Sequence, residues 1–498
     1  MSYLGLDIGT TGCKAVAFDA SGRQLAVSYR EYPVLSTNQG WAELDSNLVC
    51  NSCLEVVREV ASECHSDLVS AIGISSQGEA FTPVGANGEF LGNAMVSSDA
   101  RAASIAHRWS EEFGRERLYE ITGHTAHPMF TLFKLLWVRD NLPDVWQKAR
   151  RFHCFEDLIH VRLGVEPAMS WPLAGRTMLF DVRKHEWSRT ILDAIGLELS
   201  KLPRTLPSGS IVGRVPENVC KELGLAVDTI VVAGGHDQPC GAFGAGIRRP
   251  GTAVYSIGTV ECITPAFPEP VFDSKLFLNN LCTYDYTVPG MYTTVAFCLT
   301  GGNLLKWFRD EFGQTELEEA KRTGQNAYTL LLKQMPSNPT SLLVLPYFTP
   351  SGTPYFDTTT KGAILGLRLT TERGEILRAL LEGVTFEMRL NLKILHESGI
   401  GVRELVAIGG GAQSRDWLQL KADVLGTPIK TVAVTEAGCL GAAMLACAAE
   451  TKEDIDSLAT KWVRVTGEII PNTSNAEYYD SMFENYLRLY PGIKSLGV

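Results

Sequence analysis

Leu4, Leu6 and Ile8 alternate with small or polar positions and run into Gly9-Thr-Thr-Gly12, and a second alternating segment leaves the turn through Val16 and Phe18. Period-two patterning on both sides of a glycine turn predicts a β-hairpin. The turn combines one carboxylate (Asp7), two glycines (Gly9, Gly12) and two hydroxyls (Thr10, Thr11). Glycines admit a bulky anion close to the backbone, and amides with hydroxyls can donate to phosphate oxygens. Asp7, at the end of its strand, is placed to hold a hydrated magnesium ion beside them. A hairpin whose turn merely needs glycine would show the same local pattern.

The pattern returns. Ala253-Val-Tyr-Ser-Ile-Gly-Thr-Val260 is again a β-like run entering Gly258-Thr259, with Ser256 where Asp7 stood. Two related hairpins, one in each half, predict a duplicated two-lobe α/β ATPase that clamps phosphates between its lobes. This architecture resembles the actin, sugar kinase and heat-shock ATPase superfamily, with its actin-like, ribonuclease H-like lobes. Between the hairpins, a helical pattern follows Asp45, Val69 to Ser75 reads as a buried strand, and Ala100 to about Leu163 is helix-rich. Thr229-Ile-Val-Val-Ala-Gly-Gly enters another glycine turn at His236-Asp-Gln-Pro. Charge, proline and glycine at Arg248-Arg-Pro-Gly251 mark a boundary. The expected lobes are therefore 1–248 and 249–450, with a closing helical tail over 451–498 whose stripe runs through Tyr478, Met482, Tyr486, Leu487 and Tyr490. In the second half a long amphipathic helix is predicted from about Glu372 to Glu397, then a strand at Leu405–Ile408 entering Gly409-Gly-Gly411.

Composition narrows the class. The 498 residues exceed one compact core, and 45% apolar with 20% charged positions is a normal globular balance. A net charge of -11 disfavours nucleic acid and anionic membranes as partners. No signal-like segment or spanning run is read, and the twelve cysteines are scattered without a framework, so a reducing cytoplasm is the expected compartment. Cys50-Asn-Ser-Cys53 lacks a second pair for zinc, and Cys64-His65, His124 and His127 lack metal-site spacing, so these are read as structural.

Several ordered motifs then identify the chain as resembling the FGGY carbohydrate kinases along its whole length. Asp7-Ile-Gly-Thr-Thr and Ser256-Ile-Gly-Thr resemble the two phosphate turns, and Gly40-Trp-Ala-Glu-Leu-Asp45 resembles a Gly-Trp-x-Glu-x-Asp segment. Phe130-Thr-Leu-Phe-Lys-Leu-Leu-Trp137 is similar to the first family signature, and Gly362–Leu367 with Glu375 and Ala379–Glu382 to the second. Gly409-Gly-Gly-Ala-Gln-Ser-Arg-Asp-Trp417 resembles the adenosine turn. The resemblance implies transfer of the ATP γ-phosphoryl group to a sugar hydroxyl, with Mg2+ and with Asp237 as the base. Read on its residues alone, Asp237 before Gln238-Pro239 is first a helix cap, and the resemblance makes it the base. The resemblance further implies ATP contacts from Thr10, Thr11, Lys14, Gly258, Thr259, Gly302, Gly410, Gly411, Ala412 and Ser414, and a metal contact from Asp7.

Ile74-Ser-Ser-Gln-Gly-Glu79 corresponds to the segment that grips sugar hydroxyls, so Gln77, Gly78, Glu79 and Gln238 are expected there. Glycerol kinases carry Gln-Arg-Glu and xylulokinases Gln-Met-His at that place, and Gly78 matches neither. Met129 stands where glycerol kinases have a tyrosine, so a larger, less clamped pocket is expected, suited to a longer sugar. Asp99 and Arg101, in Ser97-Ser-Asp-Ala-Arg101, are either sugar contacts or an ion pair at the surface. Length and motif order look most like the xylulokinase branch, with a pentulose such as D-xylulose expected. Ribulose, L-xylulose, erythritol and glycerol remain alternatives, as do an ATPase without acceptor and a silent sugar or nucleotide sensor. Whether the chain forms a homodimer, as many relatives do, is left open.

Overall fold

The computed structural model describes residues 1–497. Its first alternating segment is strand β1 (Ser2–Ile8), which returns antiparallel as β2 (Gly12–Phe18) and then β3 (Gln24–Glu31). Leu4, Leu6 and Ile8 are fully buried. Helix α1 (Ser46–Glu63) starts where Asp45 accepts hydrogen bonds from the amides of Asn47 and Leu48, and it buries Val49, Val56 and Val60 on the sheet. Strand β4 (Val69–Ser76) follows, parallel to β1 and buried at every position. The sheet is completed by β5 (Ile211–Arg214) and β6 (Ile230–His236), in the order β5-β6-β4-β1-β2-β3. Helix α2 (Asp237–Gly244) leaves the end of β6.

The second half repeats this order. A hairpin, β7 (Thr252–Ile257) and β8 (Glu261–Phe267), is followed by helix α3 (Arg373–Glu397) and by β9 (Glu404–Ile408), parallel to β7. Helix α4 (Arg415–Leu425) leads to β10 (Ile429–Val432), parallel to β9. Hairpin, helix and two parallel strands thus occur twice, as the recurring motif predicts.

Helix α5 (Ala437–Thr451) joins the halves. It is apolar on nearly all sides, the signature of a helix buried all round. It lies on the sheet of the first half so closely that a Cβ on Gly5 would come 1.8 Å from the Cys439 carbonyl oxygen, and one on Gly73 2.1 Å from that of Ala442. Only glycine allows backbone to meet backbone there. Leu440, Met444 and Leu445 share one core with Tyr3, Val16 and Phe18.

The expected helical tail needs correction. Val465–Ile469 forms β11, an antiparallel edge strand on β10, before helix α6 (Ala476–Leu487). The strand escapes sequence reading because four of its five residues are exposed, so no buried face alternates. The buried stripe of α6 is Tyr479, Phe483 and Tyr486 packed on Phe386, while Tyr478 is largely exposed. Among the described residues no helix is long and apolar enough to cross a membrane.

Candidate active site

Strands β1, β4 and β6 run parallel, with Ile8 paired to Ser76 and Ser76 to His236, so their C-terminal ends finish side by side. In an open α/β sheet that edge is where ligands bind. It delivers Thr10, Gln77-Gly78-Glu79 and His236-Asp237-Gln238 to one cavity of about 250 Å³ between the halves, with Val260 and Phe297 facing them from the second half. A second cavity, of about 1010 Å³, is lined by Gly258, Thr259, Gly302, Gly410, Gly411 and Ser414. The β7–β8 turn borders both: Gly258 and Thr259 face the larger space and Val260 the smaller.

Asp237 is the first residue of α2, and His236 holds the cap position, so the capping reading of Asp237 is corrected by one place. Its height is set by a bulge in β6, where the buried Glu156 carboxylate accepts from the Gly234 amide at 2.9 Å. The helix terminus favours a carboxylate, yet burial, then Asp7 and Glu79, push the Asp237 carboxyl up to about 8. His236 Nε2 lies 3.1 Å from it.

Gln77 spans to the phosphate turn: its amide nitrogen donates to the Gly9 carbonyl at 2.9 Å, and its oxygen accepts from Thr10 Oγ1 at 3.2 Å. Glu79 has a positive φ of 67°, a costly conformation for a side-chain-bearing residue. Its carboxylate is ion-paired with Arg176, whose Nε donates at 2.6 Å, and its carbonyl accepts from Thr131 Oγ1 at 2.9 Å. Arg176 is a site residue that sequence reasoning missed. Its Cβ lies 3.2 Å from where a Cβ on Gly78 would sit, and the His236 ring lies 3.0 Å away. The room expected from a missing arginine at 78 is therefore bounded by the Arg176 stem and the His236 ring. Asn303, Lys306 and Tyr328 on the larger cavity were also missed, while Trp417 ends the segment read as the adenosine turn. Only the run of side chains after each glycine turn could have signalled them.

Asp7 accepts from Ser75 Oγ at 2.7 Å and sits at the start of α5, where a Cβ on Gly438 would be 2.8 Å from its Oδ2. Burial raises its carboxyl, against the Ser75 hydrogen bond; Glu436 adds to the rise and Lys14 opposes it. Lys14 itself is held by Glu436 at 2.6 Å and lines neither cavity. Thr11 is exposed, its carbonyl accepting from the Tyr32 amide, and Ala412 packs toward the second core; neither lines a cavity.

Asp99 and Arg101 need the clearest correction. Arg101 donates through Nε and Nη2 to Asp99 at 2.6–3.0 Å and to Glu43 at 2.6 Å, and stacks 3.6 Å over the Trp41 ring. Asp99 also accepts from the Ala42 amide. The pair is buried and lines neither cavity; it buttresses residues 41–43.

Two sheets with duplicated glycine-turn hairpins, and a large and a small cavity sharing a turn, are the frame of a two-lobed, actin-like ATP-dependent phosphotransferase. Residues 2–244 match the N-terminal domain, and residues 253–450 the C-terminal domain, of the FGGY family of carbohydrate kinases, and the chain belongs to that family. It is 29% identical to a xylulose kinase of Bacillus subtilis over 100% of this chain and 98% of that one. It is 30% identical to an autoinducer-2 kinase of Klebsiella pneumoniae over 98% of this chain and 94% of that one. The crystal structure of a xylulose kinase from Rhodospirillum rubrum superposes with a TM-score of 0.90 at 25% identity, covering 100% of this chain and 99% of that one.

Proposed function

We propose that the chain transfers the γ-phosphoryl group of ATP to a hydroxyl of a pentulose, with D-xylulose as the acceptor. The observation that carries the reading is the shared turn: one short segment, residues 258–260, walls the nucleotide cavity on one side and the Asp237 cavity on the other. A phosphoryl group needs to pass only from one face of that turn to the other. The xylulose kinases among its relatives support the choice of sugar. The small cavity suits one sugar, not a macromolecule.

In this reading the turn at Thr10 and the turn at Gly258-Thr259 hold the phosphates, and Gly410, Gly411 and Ser414 border the adenosine. Glu79 and Gln238 orient the sugar, and Gln77 ties the sugar segment to the phosphate turn. Asp237 accepts the proton of the attacking hydroxyl. Closure of the halves excludes water, the competing acceptor. Asp7, with Glu436 close by and only Lys14 offsetting them, fits a hydrated magnesium ion, which when bound neutralises phosphate charge. A cytoplasmic location belongs to the same reading, supported by twelve cysteines buried as free thiols.

The test is ADP release with magnesium and ATP across D-xylulose, L-xylulose, both ribuloses, erythritol, glycerol and gluconate, beside a no-sugar control and Asp237→Asn. The expected result is one acceptor, D-xylulose, raising the rate far above background in the wild type alone. A rate independent of sugar would make the protein an ATPase. Sugar binding without transfer would make it a sensor.

A further inference from the structure

His124 lines the acceptor cavity and is 1% exposed. Its Nδ1 lies 2.8 Å from the Thr122 carbonyl oxygen. A carbonyl only accepts, so Nδ1 carries the proton and Nε2 a lone pair. Nε2 is buried and has no hydrogen-bond partner in the protein. Aromatic rings pack against the imidazole, Phe130 edge-on at 5.0 Å and Tyr284 at 5.3 Å. Burial and the Arg176 guanidinium push its pKa down to about 3, so the ring stays neutral at working pH.

The ring is also held in place. Gly123, with φ of 69°, ends the helix Arg115–Thr122, and its carbonyl accepts from the Thr283 amide at 2.8 Å. The second half of the chain thereby clamps the His124 segment. Two side-chain amides on the cavity wall point their donors elsewhere: Gln77 to Gly9 at 2.9 Å, and Asn280 to the Pro354 carbonyl at 2.8 Å. A buried acceptor left without a partner calls for a reason, and a ligand donor supplies one.

We propose that His124 Nε2 accepts a hydrogen bond from a hydroxyl of the bound sugar other than the one phosphorylated, so that His124 selects acceptors by that second hydroxyl. The inference rests on the kinase reading above. A hydroxyl has one proton; the reacting hydroxyl gives its proton to Asp237, so the lone pair of His124 must be met by another. Acceptors therefore carry at least two hydroxyls, and one lacking the second leaves Nε2 unpaired in the complex. A site built to bond a hydroxyl rejects the analogue without it strongly.

The experiment compares the wild type, His124→Phe and His124→Gln on D-xylulose and its monodeoxy analogues, with magnesium and ATP. His124→Phe keeps the ring shape and loses the lone pair; His124→Gln keeps an acceptor at similar reach. The expected result is a fall in kcat/KM for D-xylulose of about 10- to 100-fold in His124→Phe, with partial recovery in His124→Gln. KM for ATP stays at its wild-type value, while the melting temperature falls with loss of the buried bond from Nδ1 to the Thr122 carbonyl. One deoxy analogue should be equally poor for the wild type and His124→Phe, which a merely structural role would not produce. Wild-type kcat/KM in His124→Phe, or the same loss on every analogue in both proteins, would overturn the inference while leaving the kinase reading intact. A wild type idle on every acceptor would overturn both. Should His124→Phe not fold, His124→Leu carries the same comparison.

Discussion

Replacing Asp237 by asparagine should move activity and stability in opposite directions. Activity falls because the amide cannot take the hydroxyl proton, a loss of about 10²- to 10⁴-fold in kcat. Stability rises because the folded protein resists ionisation of this carboxyl, which is raised from 3.8 to about 8 by burial, Asp7 and Glu79. A raised folded-state pKa gives stability that is complete below about pH 4 and is lost as pH climbs through 8. At about 1.4 kcal/mol per pH unit, that distance sets a ceiling near 6 kcal/mol. The side chain is 32% exposed, and solvent screening brings the figure to about 1–2 kcal/mol. Urea unfolding of both proteins at pH 4 and at pH 8 checks this: the curves should coincide at the lower pH and separate at the higher, with the variant more stable. In the wild type, kcat/KM should rise with pH along a limb centred near 8, since that ratio reports the free enzyme. A variant less stable at pH 8 than the wild type, or one retaining near-normal turnover, would refute the reasoning.

Arg176→Met should cost about 3–5 kcal/mol, because it strands the Glu79 carboxylate, whose side chain is 4% exposed. Adding Glu79→Gln should return most of that stability in thermal melts while leaving sugar-dependent turnover low; a single variant within 1 kcal/mol of wild type by urea titration would contradict the buried pair. Gly73→Ala places a methyl 2.1 Å from the Ala442 carbonyl oxygen, so α5 must lift from β4 and unfolding should come earlier by about 3 kcal/mol or more. A change below about 0.5 kcal/mol would mean that the helix is not seated there.

Much of this molecule is legible before its structure is seen, for physical reasons that also mark where legibility stops. The hairpins announce themselves because alternation of Leu4, Leu6 and Ile8 has one meaning once a glycine turn follows. Helix α3 runs Arg373–Glu397, within a residue of its reading, since a long amphipathic stripe is hard to mistake. Asp237 was reachable through its neighbours in sequence, whereas Arg176 was not: it meets Glu79 across 97 positions. Asp99 and Arg101 were visible as a pair, but a pair in sequence does not say whether a ligand or Glu43 completes it. His124 was visible only as an isolated histidine; its free nitrogen depends on Thr122, Phe130 and Tyr284 closing the other sides. The apolar α5 carried a signal, its lack of any polar face, that points to burial without saying against which sheet.

Seating α5 on Gly5 and Gly73 bears on how such chains can be recombined. A hybrid spliced at residues 246–251, joining the first half of this chain to the second half of a relative, would press a foreign helix onto glycines fitted to Cys439 and Ala442. The exchange that respects packing replaces residues 252–432 alone, so that α5 stays with the strands it covers. Repetition along the sequence is thus not modularity: each half has a core of its own, yet a third core is closed only by both together.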